Sequence, residues 1–237
     1  MQPYYSDEHV VIYHGDCREV LPEMPKVDLV LTDPPYGIGV TGKSNASRDR
    51  KISHNRWQTA PTKKYLDDNW DTPIDQADFD RLVTIAPQAI IWGGNHYATP
   101  ASSCWLIWDK QQTTPLAYAG FELAFTTLPC ALRVFRFLWS GFWHEAGYKK
   151  QIRSHLTEKP IPLLKWCINL ATDVSLILDP YMGSGTTLRA AKDLGLQAIG
   201  IEIEERYCEI AARRMQQQVL EFEQPAETPQ QEKMIYG

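Results

Sequence analysis

The stretch Leu29-Val30-Leu31-Thr32-Asp33-Pro34-Pro35-Tyr36-Gly37 gathers groups suited to chemistry at one point of the chain. Its apolar run reads as a strand, and Asp-Pro-Pro-Tyr stands at the carboxyl end, where open α/β sheets bind ligands. Two prolines fix φ and remove two amide donors, so nearby carbonyls face outward without amide competitors. A rigid turn thus offers the Asp33 carboxylate, the Pro34 carbonyl and the Tyr36 ring close together. That set suits a planar base bearing an exocyclic amine: the acceptors take its N–H bonds while the ring stacks on its face. A plain turn opener beside a packing tyrosine is the blander alternative, and the apolar strand before it weighs against that.

A second stretch, Leu176-Ile177-Leu178-Asp179-Pro180-Tyr181-Met182-Gly183-Ser184-Gly185-Thr186-Thr187, reads as strand, Gly-rich turn and helix start. Glycines let the backbone approach a ligand closely, and a helix N-terminus favours negative charge. The G-x-x-x-x-G-K spacing of a phosphate loop is missing, and Leu188 stands where a dinucleotide fingerprint needs its third glycine. Yet Glu202 ends the next strand about twenty residues beyond the turn, where a carboxylate meets ribose hydroxyls in nucleoside-binding folds. The composite reads as a nucleoside cofactor site without a pyrophosphate.

The elements that must position these groups are short apolar runs read as strands: Val10 to Tyr13, Val27 to Thr32, Ala89 to Trp92, Trp105 to Trp108, Phe121 to Thr126, Ser175 to Leu178 and Ala198 to Ile201. Helical patterns cover Phe79 to Ala86, Ile161 to Ala171, Thr186 to Leu194 and Glu204 to Gln218. The alternation implies an α/β fold with a largely parallel sheet and helices on both faces. No period organises Gly39 to Asn69, which reads as a long mobile loop, and Glu221 to Gly237 reads as a loose tail.

The chain has 237 residues, 43% of them hydrophobic and 22% charged, which suits one domain with a sizeable core and excludes wholesale disorder. No apolar run approaches the roughly 18 residues that span a bilayer. Five scattered cysteines without a C-x-x-C pair suggest reduced thiols and a cytoplasmic location. The six histidines have no ligand-like spacing with cysteines, so no metal is expected. A net charge of −5 speaks against a nucleic-acid partner only until its distribution is read. Between Lys43 and Lys64 seven basic residues, among them Arg48, Arg50, Lys51 and Arg56, stand against Asp49 alone. Arg133, Arg136, Lys149, Lys150, Arg153 and Lys159 form a second basic segment, interleaved with Trp139 and Trp143. Such segments suit phosphates and bases, and a DNA-facing cleft can be positive on a chain that is negative overall.

Taken together, Asp-Pro-Pro-Tyr followed far downstream by Asp-Pro-Tyr-x-Gly-Ser-Gly-Thr-Thr resembles the amino-methylating DNA methyltransferases, which act on N6 of adenine or N4 of cytosine. The order of motifs is similar to the family's permuted β group, and Ile90-Ile91-Trp92-Gly93-Gly94-Asn95-His96 is similar to phage-type members. The resemblance covers roughly residues 9–215 and implies a Rossmann-like S-adenosylmethionine-dependent methyltransferase fold with a mostly parallel seven-stranded sheet. It implies catalytic roles for Asp33, Pro34, Pro35 and Tyr36. His14-Gly15-Asp16-Cys17 resembles the strand-end acid that meets the cofactor adenine, and His155 to Pro160 resembles the segment at the methionine part. The implied cofactor residues are then Asp16, Cys17, Asp33 and Lys159, with Asp179, Pro180, Tyr181, Gly183, Ser184, Gly185 and Thr186 of the loop and Glu202 beyond it. In that fold Val10 to Tyr13 pairs beside the strand ending at Glu202, joining chain start to chain end.

On this resemblance residues 1–220 form one catalytic domain, with 39–69 a DNA-facing loop, 127–155 the target-recognition segment and 221–237 a tail. Lys43, Arg48, Arg50, Lys51 and Arg56, and Arg133, Arg136, Lys149, Lys150 and Arg153, are the expected contacts to double-stranded DNA. A homodimer and a cognate restriction endonuclease are partners the family allows. Asp rather than Ser before Pro-Pro favours adenine. A Pro-Cys pair at Pro129-Cys130, the kind of group carbon-5 cytosine chemistry needs, lies far from the catalytic strand end and reads as structural. RNA or protein methylation on the same fold, and a non-catalytic binding subunit, are the rival classes; the intact Asp33 and Gly-x-Gly argue against the second. Replacing Arg48, Arg50 and Lys51 with neutral residues is expected to weaken DNA binding and to flatten the dependence of log K on log salt by about 0.9 per lost phosphate contact. Titrations of a duplex at several salt concentrations measure this, and an unchanged slope would place the DNA elsewhere.

Overall fold

Leu29–Thr32 is buried at all four positions, and Gln88–Trp92 at four of five. Continuous burial of apolar strands is what a parallel sheet covered on both faces demands. The computed structural model describes residues 1–37, 72–111, 119–140, 143–144 and 158–217. In chain order the elements are β1 (Tyr5–Ser6), β2 (Val10–His14), α1 (Cys17–Val20), β3 (Leu29–Thr32), α2 (Gln76–Thr84), β4 (Gln88–Trp92), β5 (Trp105–Asp109), β6 (Phe121–Thr126), β7 (Arg133–Arg136), β8 (Trp139–Ser140) and β9 (Trp143–His144). There follow α3 (Ile161–Ile168), β10 (Leu176–Asp179), α4 (Thr186–Asp193), β11 (Gln197–Glu202) and α5 (Glu205–Gln216).

Nine strands form one sheet in the order β1-β2-β11-β10-β3-β4-β6-β5-β7. From β2 to β4 every pairing is parallel; β6 then runs antiparallel to both β4 and β5. β2 lies beside β11, with His14 opposite Glu202, so the first long strand closes onto the last one as the motif order requires. All seven strands expected from the sequence are present. The expected count of seven is corrected to nine, because β1 adds antiparallel to β2 and β7 adds parallel to β5. β1 has only two residues and β7 exposes Arg133, Val134 and Arg136, so neither carries an apolar signal of its own. β8 and β9 pair as a separate two-stranded sheet. Part of the segment 127–155 therefore extends the catalytic sheet; its residues 145–155, and the expected loop 39–69 and tail 221–237, lie outside the described residues.

Alternation along the strands feeds two cores. Leu29, Leu31, Ile90 and Trp92 pack on one face with Leu163 and Cys167 of α3, Leu188 of α4 and Ala211 and Met215 of α5. Val30, Ala89 and Ile91 point the other way, to Val20 of α1 and Phe79 and Leu82 of α2. Capping fixes where helices begin: Asp16 accepts from Arg18 N at 2.9 Å and Asp75 from Asp78 N at 2.8 Å. Lys192 on α4 pairs with Asp7 at 2.5 Å and donates to Met215 O at 3.0 Å, tying the chain start to α5.

The cysteines depart from expectation in one place. Cys104 and Cys130, read as reduced thiols, are joined as a disulfide across Cα atoms 5.1 Å apart; strands β5 and β6 bring them together from 26 residues apart in sequence. Cys17, Cys167 and Cys208 are free and buried. No described helix is long and apolar enough to cross a membrane.

Just after β4 the backbone approaches β6 closely at Gly94. A Cβ there would lie 2.5 Å from Phe125 Cβ and 2.9 Å from Phe125 N, so backbone would have to move. Gly94→Ala is expected to cost about 1–3 kcal/mol of stability, read as a lower urea midpoint at unchanged slope.

Candidate active site and cofactor cleft

Parallel strands deliver their carboxyl ends to one edge of the sheet. Asp33 follows β3, Asp179 ends β10, Glu202 ends β11, and Asp16 follows β2 by two residues. The Thr32 hydroxyl donates to Asp179 Oδ1 at 2.7 Å and so ties the end of β3 to the end of β10. Around these ends opens a cleft of about 840 Å³. That is room for a nucleoside-sized ligand with space to spare.

On one wall stands the proline turn. Tyr97 donates to Pro35 O at 2.9 Å and holds the turn in place. Tyr36 OH donates to Asp33 Oδ1 at 2.5 Å, and the Lys159 ammonium pairs with Asp33 Oδ2. Lys159 is only 6% exposed, reaches Glu122 Oε2 at 3.3 Å, donates to Tyr36 OH at 3.5 Å and lies 5.3 Å from the Trp92 ring centre. The Tyr36 ring packs over Gly93, which has φ 70° and no room for a Cβ, and stacks on His96 with centroids 5.0 Å apart. Burial pushes the Asp33 carboxyl up from the usual range, while Lys159 opposes the rise. A half-buried, partly basic carboxylate beside an aromatic ring can accept from a polar N–H.

The opposite wall is the Gly-rich turn. Gly183 has φ 50°, a left-handed conformation that suits glycine, and its N–H donates to Glu202 Oε2 at 3.0 Å. Glu204 N donates to the other Glu202 oxygen at 2.9 Å. Burial nonetheless pushes the Glu202 carboxyl up to about 7 and that of Asp179 up to about 6. Asp179 spends its acceptors on Thr32, Thr187 and Tyr181 N, so it holds two loops together at the floor of the cleft. Arg214 of α5 donates to Thr186 Oγ1 at 2.9 Å, to Ser184 Oγ at 3.3 Å and to Glu158 at 2.5 Å, fixing the turn from behind. Asp16 is held by the Arg18 guanidinium, which lowers its pKa. Cys17 shares a hydrogen bond with Tyr181, and burial raises its thiol pKa.

The structure brings Asp16, Cys17, Asp33, Pro34, Pro35 and Tyr36 into the lining of one cleft with Lys159, Asp179, Pro180, Tyr181, Gly183, Ser184, Thr186 and Glu202. Gly185 is the exception: it does not line the cleft, and a Cβ there would sit 2.8 Å from Ala211 Cβ, so its work is helix packing. Sequence reasoning missed Thr32, Arg18, Arg206 and Tyr207 of the lining, and it missed Glu122 behind Lys159. Of the expected DNA contacts, Arg133 and Arg136 are exposed on β7, with Arg136 3.7 Å from Asp109. Lys43, Arg48, Arg50, Lys51, Arg56, Lys149, Lys150 and Arg153 lie outside the described residues. The described lining of this cleft is acid-rich, with Asp16, Asp33, Asp75, Asp78, Glu158, Asp179, Glu202 and Glu204 against Arg18, Lys159 and Arg206. Three bases are too few to compensate them.

Sheet order, strand-end cleft and Gly-rich turn together define the fold of the S-adenosylmethionine-dependent methyltransferases. Within that class the chain belongs to the N6/N4 DNA methylase family, whose model matches residues 43–213. It is 27% identical to the Type II methyltransferase M2.DpnII of Streptococcus pneumoniae, over 91% of this chain and 92% of that one. It is 26% identical to the Type II methyltransferase M.HinfI of Haemophilus influenzae, over 92% of this chain and 71% of that one. Among solved structures, the M1.HpyAVI–SAM complex superposes with a TM-score of 0.53 at 20% identity, covering 86% of this chain and 99% of the other. The cytosine-N4-specific PvuII DNA methyltransferase gives 0.55 at 14% identity, covering 90% and 88%.

Glu202 generates a pH-dependent prediction. A folded-state pKa near 7, against an ordinary 4.5, means that its contribution to stability is full at low pH and is lost as pH rises through about 7. Between about pH 5 and about pH 8 the cofactor-free protein is expected to lose about 1–3 kcal/mol more than Glu202→Gln does, measured by urea unfolding at each pH. Equal slopes would show that the carboxylate titrates normally.

Proposed function

We propose that the protein methylates the exocyclic N6 of adenine in double-stranded DNA, within the N6-adenine or N4-cytosine chemistry of its family. The observation that carries this is the Asp33-Pro34-Pro35-Tyr36 turn, held at the mouth of a nucleoside-sized cleft with a half-buried carboxylate beside an aromatic ring. Asp at the head of the turn, rather than Ser, supports adenine over cytosine.

The residues fit S-adenosylmethionine. The Glu202 carboxylate suits ribose hydroxyls, and Gly183 has open space where a side chain would stand, so a ligand can approach its backbone. Asp16 and Cys17 would border the adenine, and Lys159 with the Ser184–Thr186 turn the methionine part. The acid-rich lining favours a cationic ligand. Bound there, the cofactor supplies an electrophilic methyl group whose C–S bond breaks with its electron pair left on sulfur.

The protein's own part is orientation and charge. The target base leaves the duplex at a cost of a few kcal/mol, and Tyr36 receives it by stacking. In the structure Tyr36 OH occupies Asp33 Oδ1, so the incoming amine takes over an acceptor that is already in place. Asp33 and the Pro34 carbonyl accept the amine hydrogens, which aims the nitrogen lone pair along the line of transfer. Positive charge growing on nitrogen then faces the Asp33 carboxylate, and the released proton is held at Asp33.

Asp33→Ala is expected to lower methyl transfer by at least about 10²-fold while leaving cofactor affinity within a few-fold. The assay follows labelled methyl transfer to duplex DNA, RNA and protein in parallel, and digestion of the product separates 6-methyladenine from 4-methylcytosine. Methylcytosine as the product would keep the mechanism and reverse the base assignment. Full activity in the Ala variant would end the reading.

A further inference from the structure

Glu122 is a single acid in the otherwise apolar strand β6, Phe121-Glu122-Leu123-Ala124-Phe125-Thr126. It stands opposite Trp108 of β5 and does not line the cleft. Its two oxygens are divided: Oε2 lies 3.3 Å from Lys159 Nζ, and Oε1 pairs with Lys110, whose ammonium sits 5.0 Å from the Trp108 ring centre. Lys159 in turn pairs with Asp33 Oδ2. Charges therefore alternate in a row from the catalytic turn to β5: Asp33, Lys159, Glu122, Lys110. The other ionisable groups facing Asp33 are Tyr36, through its hydroxyl, and Asp179, with Tyr97 beyond Tyr36.

A buried ammonium held by Asp33 alone would neutralise the carboxylate that has to meet a nitrogen becoming positive. In a low-dielectric site that neutralisation would be strong. We propose that Glu122 is a positioning residue for the methyl transfer: it shares the Lys159 ammonium with Asp33, so that Lys159 does not cancel the negative potential the acceptor carboxylate presents to the incoming amine. Glu122 touches neither base nor cofactor cleft; it acts through Lys159. The proposal rests on the role given above to Asp33 and deepens it.

Opposite signs make the arrangement testable. Glu122 raises the proton affinity of Asp33, and Lys159 lowers it. The carboxyl carbon of Asp33, labelled with 13C and followed by NMR in the cofactor-free protein, is expected to titrate about one pH unit lower in Glu122→Gln and higher in Lys159→Gln. Glu122→Gln is nearly isosteric and leaves Lys159 paired with Asp33, so the fold is retained; a thermal melt checks this. Its single-turnover methylation rate on duplex DNA is expected to fall about tenfold with cofactor affinity unchanged, and Glu122→Asp to recover part of the loss. An Asp33 midpoint that stays put in Glu122→Gln, or moves the same way in both variants, overturns the proposal. So does an unchanged rate. Failure of the parent protein to methylate any DNA would instead overturn the functional reading; the Asp33 titration, which needs no substrate, still decides whether Glu122 sets the charge of that carboxylate.

Discussion

β10 lies between β3 and β11 with all three strands parallel, and this placement is the constraint on which the cleft depends. Parallel neighbours end at the same edge, so the turn after β3 and the turn after β10 open beside each other. The 2.7 Å bond from Thr32 to Asp179 locks the two ends together, at the cost of burying a carboxyl whose pKa rises to about 6. Asp179 accepts from Thr32, Thr187 and Tyr181 N, so its carboxyl is engaged in holding the two turns together. Had β3 paired elsewhere in the sheet, Asp33 and Gly183 would belong to different sites.

How far the sequence disclosed this depends on where each signal sits. Strands such as Leu29–Thr32 and Ala198–Ile201 announce themselves, because burial on both faces makes them nearly continuous apolar runs. The adjacency of β2 and β11 was implied by the family resemblance, and the register of His14 opposite Glu202 agrees with it. β7 was illegible for the converse reason: at the sheet edge Arg133 and Arg136 face solvent, and two arginines three residues apart look like a basic loop. Gly185 carries a role the motif alone does not show: a left-handed glycine at a helix start serves close helix packing as well as ligand approach, and here Ala211 of α5 packs against it.

Glu122 and Arg214 were beyond reach for a different reason. Neither belongs to a local pattern: Glu122 meets Lys159 across 37 residues of sequence, and Arg214 meets Glu158 across 56. Both segments are joined only once β6, the turn before α3 and α5 have packed. Spacing rules describe what one element brings to a site. Charge pairs that couple separate elements are a property of the packed sheet, and here they surround both Asp33 and the Gly-rich turn.

The net charge of −5 acquires a physical meaning from this arrangement. Acids concentrate where the described cleft is, and burial together with their mutual repulsion raises Glu202 to about 7 and Asp179 to about 6. Such a cleft is poorly satisfied when empty of positive charge, and a sulfonium ligand relieves the repulsion that a neutral one would leave. The same field repels a phosphate backbone, so DNA has to be met by basic residues placed away from the cofactor turn. The segments richest in Lys and Arg, 43–64 and 133–153, both lie away from that turn in sequence. A methyl donor that is cationic and a substrate that is polyanionic call for opposite potentials within one molecule, and a chain that is acidic on average can supply both only by segregating its charges.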